Sequence, residues 1–483
     1  MSVWQRITIR RTEMWLLIVA AAIVMAAVVS LEISLGNELG SQLLWVGGGF
    51  IGVFMIAHLA LVWKAPHADQ ILLPVAAALN GLGLVMISRL DAAKDTNMAT
   101  RQVMWSLVAV VLMIIVLVLM EDYMVLTRYS YLLGVVGIIL LALPMVWPQG
   151  SGIQSDARIW ISLGPFTLQP GEFSKILLLL FFAKLLADKR ALFNVAGYRV
   201  LGLELPRLRD LGPIFFVWAL ALVIMAGEND FGPALLLFST VLLMMYLASG
   251  RISWLLIGVI LVAVGGVGIY QISDKIQSRV ANFMDPLANY DTTGFQLSQA
   301  LFGMSWGGIT GTGLGEGYPQ AVPVAESDFI LAGIGEELGF IGLAAVLVLF
   351  TLFVVRGMHT AMLAKSSYGK LVASGLSMTI LIQLFVVVGG ISAMLPMTGL
   401  TTPFMSQGGS SLMANYILLG ILLRISHQAR VPEEQSTNPA PQARSAAPAE
   451  PSAMEQTSHF SIAGTEHSPG RSPSTHSTNK NWR

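Results

Sequence analysis

Twelve stretches of this 483-residue chain are each mostly apolar, centred near residues 23, 53, 80, 111, 139, 180, 218, 240, 263, 342, 382 and 418. Each is about 20 residues long, which is what a helix needs to cross the hydrocarbon core of a bilayer. That repetition constrains the fold more than any other feature. Inside lipid every backbone N–H and C=O must be satisfied internally, so spanning segments become helices or closed barrels. Runs of this length, without strand-like alternation, predict an all-α polytopic membrane protein with about 12 transmembrane helices. Composition agrees: 55% of residues are hydrophobic and the mean hydropathy is +0.70, more apolar side chain than a water-soluble core can hide. The formal net charge is zero, which argues against nucleic acid as a partner. No cysteine is present, so disulfides, thiol catalysis and cysteine-ligated metals are excluded.

The basic start, "MSVWQRITIRRTEMW", runs into the first apolar stretch without a clear cleavage site, and is read as a short cytoplasmic N-terminus (1–12) before a retained span. With that end inside, Lys and Arg concentrate in the cytoplasmic segments, among them Arg6, Arg10, Arg11, Lys189, Arg190, Arg199, Arg207 and Arg209. This is the asymmetry the positive-inside rule expects. An even span count returns the C-terminus to the cytoplasm. The membrane domain is expected over 13–426. Residues 427–483, rich in Pro, Ser, Ala and Thr, are expected to be a disordered cytoplasmic tail, since they offer too little apolar surface to offset ordering entropy. One extracellular loop, 274–328, stands out by length. Loops of that size are usually functional or disordered. Its Phe295, Phe302, Trp306 and glycine series predict a partly folded segment lying against the bilayer.

Polar clusters interrupt this pattern, all on the predicted outer side. "VAESDFILAGIGEELGF", 324–340, places Glu326, Asp328, Glu336 and Glu337 at the start of the next span in a chain with 12% charged residues. Asp328 fits either a helix N-cap or a working carboxylate. Glu336 and Glu337, placed two to three turns into the span, point to a wet cavity, because acids at membrane depth face a partner or water. "DARIWISLGPFTLQPGEFSK", 156–175, offers Arg158, Trp160, Glu172 and Lys175. Glu172 and Lys175 are three apart and share a helix face; a surface loop with a Trp anchor and a snorkelling Lys explains the same residues. Asp230 in "GENDFGPALL" precedes another span and reads alone as a cap. "PMTGLTTPFMSQGGSSL", 396–412, places Ser406, Gly408, Gly409 and Ser410 before the last span, as an anion-binding nest or a plain turn. Together the clusters suit a lipid-linked substrate with an anionic head.

These segments resemble the SEDS (FtsW/RodA) family over roughly residues 70–426. The family's Arg-Trp … Gln-Pro-Ser-Glu … Lys pattern is matched by 156–175, its Asp-x-Gly by "NDFGPALL", and its Gln … Gly-Gly … Gly-x-Gly by "GFQLSQALFGMSWGGITGTGLGEG". Its Asp-Phe-Ile … Glu-Glu-x-Gly pattern matches 324–340, and its Pro-Phe-x-Ser … Gly-Gly-Ser pattern matches 396–412. Departures are Ile159 between Arg and Trp, Gly171 for Ser, Val324 for Glu, Glu326 where His is common, and Gln407 for Tyr. The resemblance implies a ten-helix core with two helices added at the N-terminus, and the long loop before the tenth helix of this chain. It implies a peptidoglycan glycosyltransferase of the bacterial plasma membrane that polymerises lipid II beside a class B penicillin-binding protein, RodA-like rather than FtsW-like. Asp328 falls on the family's Asp, as general base. Arg158, Trp160, Glu172, Lys175, Asp230, Gln296, Gln299 and the 406–410 residues are implied as substrate contacts. A divalent cation (Mg or Mn) is the one cofactor suggested, and no organic cofactor is expected. A lipid II flippase is the alternative; the gathering of polar groups on one face favours the enzyme.

Overall fold

A computed structural model describes residues 6, 8–36, 44–148, 157–164, 166–193, 198–200, 203–205 and 208–431. Of the tail expected over 427–483, residues 427–430 instead complete the last helix, Gly409–Arg430, and those from 432 onward lie outside the described residues. Each of the twelve apolar stretches is a helix. The first four are α1 (Arg11–Ser34), α2 (Gly49–Lys64, entered through a π turn at Leu44–Gly48), α3 (Leu72–Lys94) and α4 (Met98–Leu119). A one-turn α5 (Val125–Arg128) leads to α6 (Ser130–Val146), α7 (Pro170–Phe193), α8 (Leu208–Gly227), α9 (Phe231–Ser249) and α10 (Ser253–Ile272). After the long loop come α14 (Gly339–Leu363), α15 (Ser367–Ile391) and α16 (Gly409–Arg430). The loop itself contains α11 (Asp274–Met284), α12 (Phe295–Gly307) and α13 (Ile330–Glu337). Among the described residues nine helices are long and apolar enough to cross a membrane, and α6 and the stretch Gly212–Gly227 of α8 are shorter apolar helices. Two short antiparallel hairpins, Ile161–Leu163 with Phe166–Leu168 and Tyr198–Val200 with Leu203–Leu205, are the strands present among them.

Burial orders the bundle. The apolar windows of α3 and α16 are each 89% buried, while that of α10 is 6% buried. α10 therefore turns Val259, Ile260, Val264 and Val267 outward, which lipid tolerates as well as a protein core does. The α3–α4 connection is tight for a local reason. Asp95 ends α3 in the left-handed region, φ 51°, and the Asp91 carboxylate accepts the Met98 and Ala99 N–H groups at 2.8 and 2.6 Å. That satisfies donors the start of α4 would otherwise orphan.

Two features position the site. The segment before α16 dips into the bundle beside α3: Gly83 has no side chain where the Met405 backbone lies, and Asn80 Nδ2 donates to the Phe404 carbonyl at 3.2 Å. The second concerns the acids of 324–340. The expectation of one continuous span from Asp328 is corrected here. α13 ends at Glu337, the chain breaks at Leu338–Gly339, and Gly339 takes φ +66°. The span begins only at Gly339, so the non-spanning segment continues past 328. Glu336 and Glu337 end a short helix and stitch the glycine-rich loop to it. The Tyr318 N–H donates to Glu336 Oε1 at 2.5 Å and the Gly315 N–H to Glu337 Oε2 at 3.1 Å. Thr312 and Gly313 N–H groups donate to the carbonyls of the same two residues at 3.0 Å.

Candidate active site

A cavity of about 630 Å³ lies between α11, α12, the α8–α9 turn and the 397–399 segment, with Asp328 and Phe329 on its wall. The side chains in it that bear on chemistry are Asp328, Lys275, Arg279, Asn282 and Gln296. α11 supplies three of them because Lys275, Arg279 and Asn282, four and three residues apart, share one helix face. Ser273 caps that helix, its hydroxyl accepting the Ile276 N–H. The two cations also fix α11 to its neighbours. Lys275 Nζ donates to the Asn229 carbonyl at 3.1 Å, and Arg279 Nη1 to the Thr398 carbonyl at 3.1 Å.

Asp328 is held by its backbone rather than by a cap bond to α13. The Ser406 hydroxyl donates to the Ser327 carbonyl and accepts the Thr402 N–H at 2.8 Å. The Gln407 N–H donates to the Glu326 carbonyl at 2.8 Å. The carboxylate sits half-buried on the cavity wall. Burial pushes its pKa up to about 6; its own backbone N–H and the Arg279 guanidinium oppose the rise, and Glu326 adds to it. A carboxylate poised near neutrality, charged at pH 7 and still basic, is what a general base requires. Burial also lowers the pKa of Arg279, against the pull of Asp230 and Asp328.

A narrow polar crevice adjoins the cavity and gathers Glu172, Lys175, Glu228 and Asp230. Lys175 Nζ lies 2.6 Å from Glu172 Oε2 and 3.4 Å from Gln383 Oε1. Burial, with help from Asp230, pushes Glu228 up to about 8. Asp230 rises to about 6, chiefly by burial, with Lys275 opposing, Glu172 adding and Arg279 opposing. Asp230 therefore feels both the cavity cations and the crevice acids.

The predicted site residues divide accordingly. Asp328 and Gln296 line the cavity, the latter donating to the Pro323 carbonyl at 2.7 Å. Glu172, Lys175 and Asp230 line the crevice. Arg158 is exposed and Trp160 half-buried; the Arg158 N–H joins the Glu228 carbonyl at 3.2 Å. Gln299 turns to the Tyr290 hydroxyl at 2.7 Å. Ser410 accepts the Gln169 N–H at 2.9 Å, Gly408 precedes the first turn of α16, and Gly409 abuts the Trp105 ring. The hydroxyls of Ser406 and Ser410 thus hold protein backbone. Lys275, Arg279 and Glu228 were not among the predicted residues, although the helical spacing of 275, 279 and 282 is visible in the sequence.

Fold and site together define a multi-pass helical membrane protein with a polar cavity at one end of its bundle, where a near-neutral carboxylate faces two cations. The chain belongs to the FtsW/RodA/SpoVE family of cell cycle proteins, whose family model matches residues 69–431. It is similar to the peptidoglycan glycosyltransferase RodA of Mycobacterium tuberculosis, 47% identical over 431 residues, covering 88% of this chain and 92% of the relative. It is also similar to stage V sporulation protein E of Bacillus subtilis, 30% identical over 377 residues, covering 76% of this chain and 99% of the relative. A solved chain described under the structural coordination of polymerization and crosslinking by a peptidoglycan synthase complex matches with TM-score 0.62 and 25% identity, over 75% of this chain and 98% of that one. The rod shape determining protein RodA of Thermus thermophilus, as a mutant, matches in fold with TM-score 0.52 and 24% identity, over 76% and 99%.

Proposed function

We propose that this peptidoglycan glycosyltransferase extends glycan strands in the Asp328 cavity, using lipid II as substrate. The observation that carries this reading is the pairing of a half-buried carboxylate, pushed to about 6, with Lys275 and Arg279 in one cavity. Asp328 accepts the proton of the acceptor sugar hydroxyl as that oxygen attacks the donor's anomeric carbon. The bond from that carbon to the pyrophosphate oxygen breaks, and undecaprenyl pyrophosphate leaves. Lys275 and Arg279 meet the charge that develops on it. Gln296 and Asn282 supply hydrogen bonds to sugar or phosphate.

Among the described residues no three His, Asp or Glu side chains gather to hold a metal ion. A divalent cation, Mg or Mn, would be carried by the pyrophosphate and would offset its charge. Counting spans from the basic start, the cavity lies at the ends of α8 and α10 opposite to those ends of α1, α2 and α7 that carry Arg10, Arg11, Lys64 and Arg190, which by the positive-inside rule makes it the outer face of the bacterial plasma membrane, with the start of α1 and the end of α16 inside. A flippase would need such groups along the path to the inner face as well. A class B penicillin-binding protein is the partner that crosslinks the product; the similarity to a chain of a synthase complex supports it. The relatives named RodA at 47% identity support a role in elongation.

The test is lipid II polymerisation by the purified chain with its partner. Asp328→Asn is expected to lower the rate by at least about 100-fold while unfolding temperature and partner binding hold. A variant that polymerises like wild type refutes the general base.

A further inference from the structure

Asp328 lies on a segment gripped at both ends by one helix. On α3, Lys94 Nζ is 2.7 Å from Glu326 Oε2, two residues before Asp328. Five residues earlier, Arg89 Nε is 2.8 Å from Glu337 Oε1, nine residues after it, and Arg89 Nη2 donates to the Gly317 carbonyl at 2.7 Å. At 1.5 Å per residue the two cations are about 7.5 Å apart along the α3 axis, and the chain between Glu326 and Glu337 bridges them. The deep end is fully enclosed; the Lys94–Glu326 end is only partly exposed, at 27% and 13% of the side chains. The Glu326 carbonyl is separately held by the Gln407 N–H, so its side chain is not needed to keep the backbone in place.

From this geometry we infer that Lys94 is a positioning residue for the transfer reaction: it pins the Glu326 carboxylate and offsets its charge beside Asp328. The proposal rests on the reading of Asp328 as base. Without Lys94, an uncompensated Glu326 carboxylate stands two residues from the base and disfavours its charged form. Without Glu326, Lys94 is an unopposed cation on the same side and favours it. The other charged groups facing Asp328 are Arg279, Lys275 and Asp274 from α11, with Asp230 of the α8–α9 turn acting on the same Arg279. None of these is altered by changing Lys94 or Glu326.

The experiment is the pH dependence of kcat and kcat/KM for lipid II polymerisation by the full chain with its penicillin-binding partner, for Lys94→Gln, Glu326→Gln and the double variant. Lys94→Gln should move the acid limb up by about half a pH unit, and Glu326→Gln should move it down by a similar amount. The double variant should return near wild type. A purely structural pair would lower kcat in both single variants without moving the limb, and that result overturns the proposal, as do two shifts of the same sign. Asp328→Asn is measured on the same preparation. Activity in that variant refutes the base reading itself, whereas inactivity there with unmoved limbs in the other variants refutes only the role of Lys94.

Discussion

Replacing Arg89 with Met should destabilise this protein more than a typical buried substitution, and should do so in a pH-dependent way. The side chains of Arg89 and Glu337 are 5% and 0% exposed. Losing the guanidinium removes the 2.8 Å contact to Glu337 and the 2.7 Å bond to the Gly317 carbonyl. What remains is a buried carboxylate with the Gly315 N–H at 3.1 Å as its donor. Breaking one side of a buried pair costs about 3–5 kcal/mol, more than 100-fold in the folding equilibrium. Burial already raises the Glu337 pKa, and Arg89 is among the groups opposing that rise. In Arg89→Met the folded pKa climbs further above the unfolded value. The unfolded chain then binds fewer protons, so stability falls as pH rises through the window above the unfolded pKa. The deficit should therefore be larger at pH 8 than at pH 5.5. Adding Glu337→Gln removes the stranded charge and keeps an acceptor for Gly315, so the double variant should be more stable than Arg89→Met alone. Thermal and denaturant unfolding in one detergent, read as a double-mutant cycle, measures this. If the single losses simply add, or the Arg89→Met deficit does not change with pH, the stitch is not electrostatic and the reasoning fails.

Other expectations follow from the same geometry. Since Asp328 must be ionised to act and its pKa is about 6, polymerisation should fall roughly tenfold per unit below pH 6 and be flat above 7; full activity at pH 4.5 would exclude it as the base. Arg279→Gln removes a cation that opposes the Asp328 shift, so the acid limb should move upward and KM for lipid II should rise; an unmoved limb would place Arg279 outside the reacting cavity. Gly339→Ala puts a side chain at φ +66° and against the Gly311 and Ile309 backbone. The left-handed backbone alone costs about 1–2 kcal/mol, so the unfolding temperature should drop; an unchanged value would mean that the break between α13 and α14 is not maintained by that glycine.

The spans were readable because lipid exposure leaves a length signal that no tertiary contact can mask. Outward Val259 and Val264 of α10 and fully buried Leu79 of α3 are equally apolar, so the sequence places such helices without saying which is central. The break at Leu338–Gly339 was hidden for the converse reason. "GIGEELGFIGL" carries helical spacing on both sides, and its four glycines, at 333, 335, 339 and 342, do not single out 339, since glycine within a helical pattern is often tolerated. What breaks it is the docking of the 307–313 loop, whose Gly308 and Ile309 carbonyls accept the Phe340 and Ile341 N–H groups at 2.9 and 3.1 Å. Those long-range bonds leave no periodic trace. Lys275 and Arg279 had a local trace, an i, i+4, i+7 face with Asn282, but it lay in a stretch whose apolar content did not announce a helix.

The four acids of 324–340 show how one dense cluster separates into different roles. Three are engaged by another part of the chain: Glu326 by Lys94, Glu336 by the Tyr318 N–H, and Glu337 by Arg89. Each partner lowers the cost of its charge in a partly dry environment. Asp328 instead faces the cavity, with Arg279 acting across space. A carboxylate held in this way keeps affinity for a proton, because among the described residues no direct ion pair quenches its basicity. The stitched acids fix the loop and α13 on either side of it, so the backbone that carries Asp328 is rigid although its side chain is not consumed. Rigidity from Glu337 and Arg89 and availability at Asp328 are therefore complementary outcomes of one acidic segment, and a substitution that frees Glu337 should loosen the base without touching it.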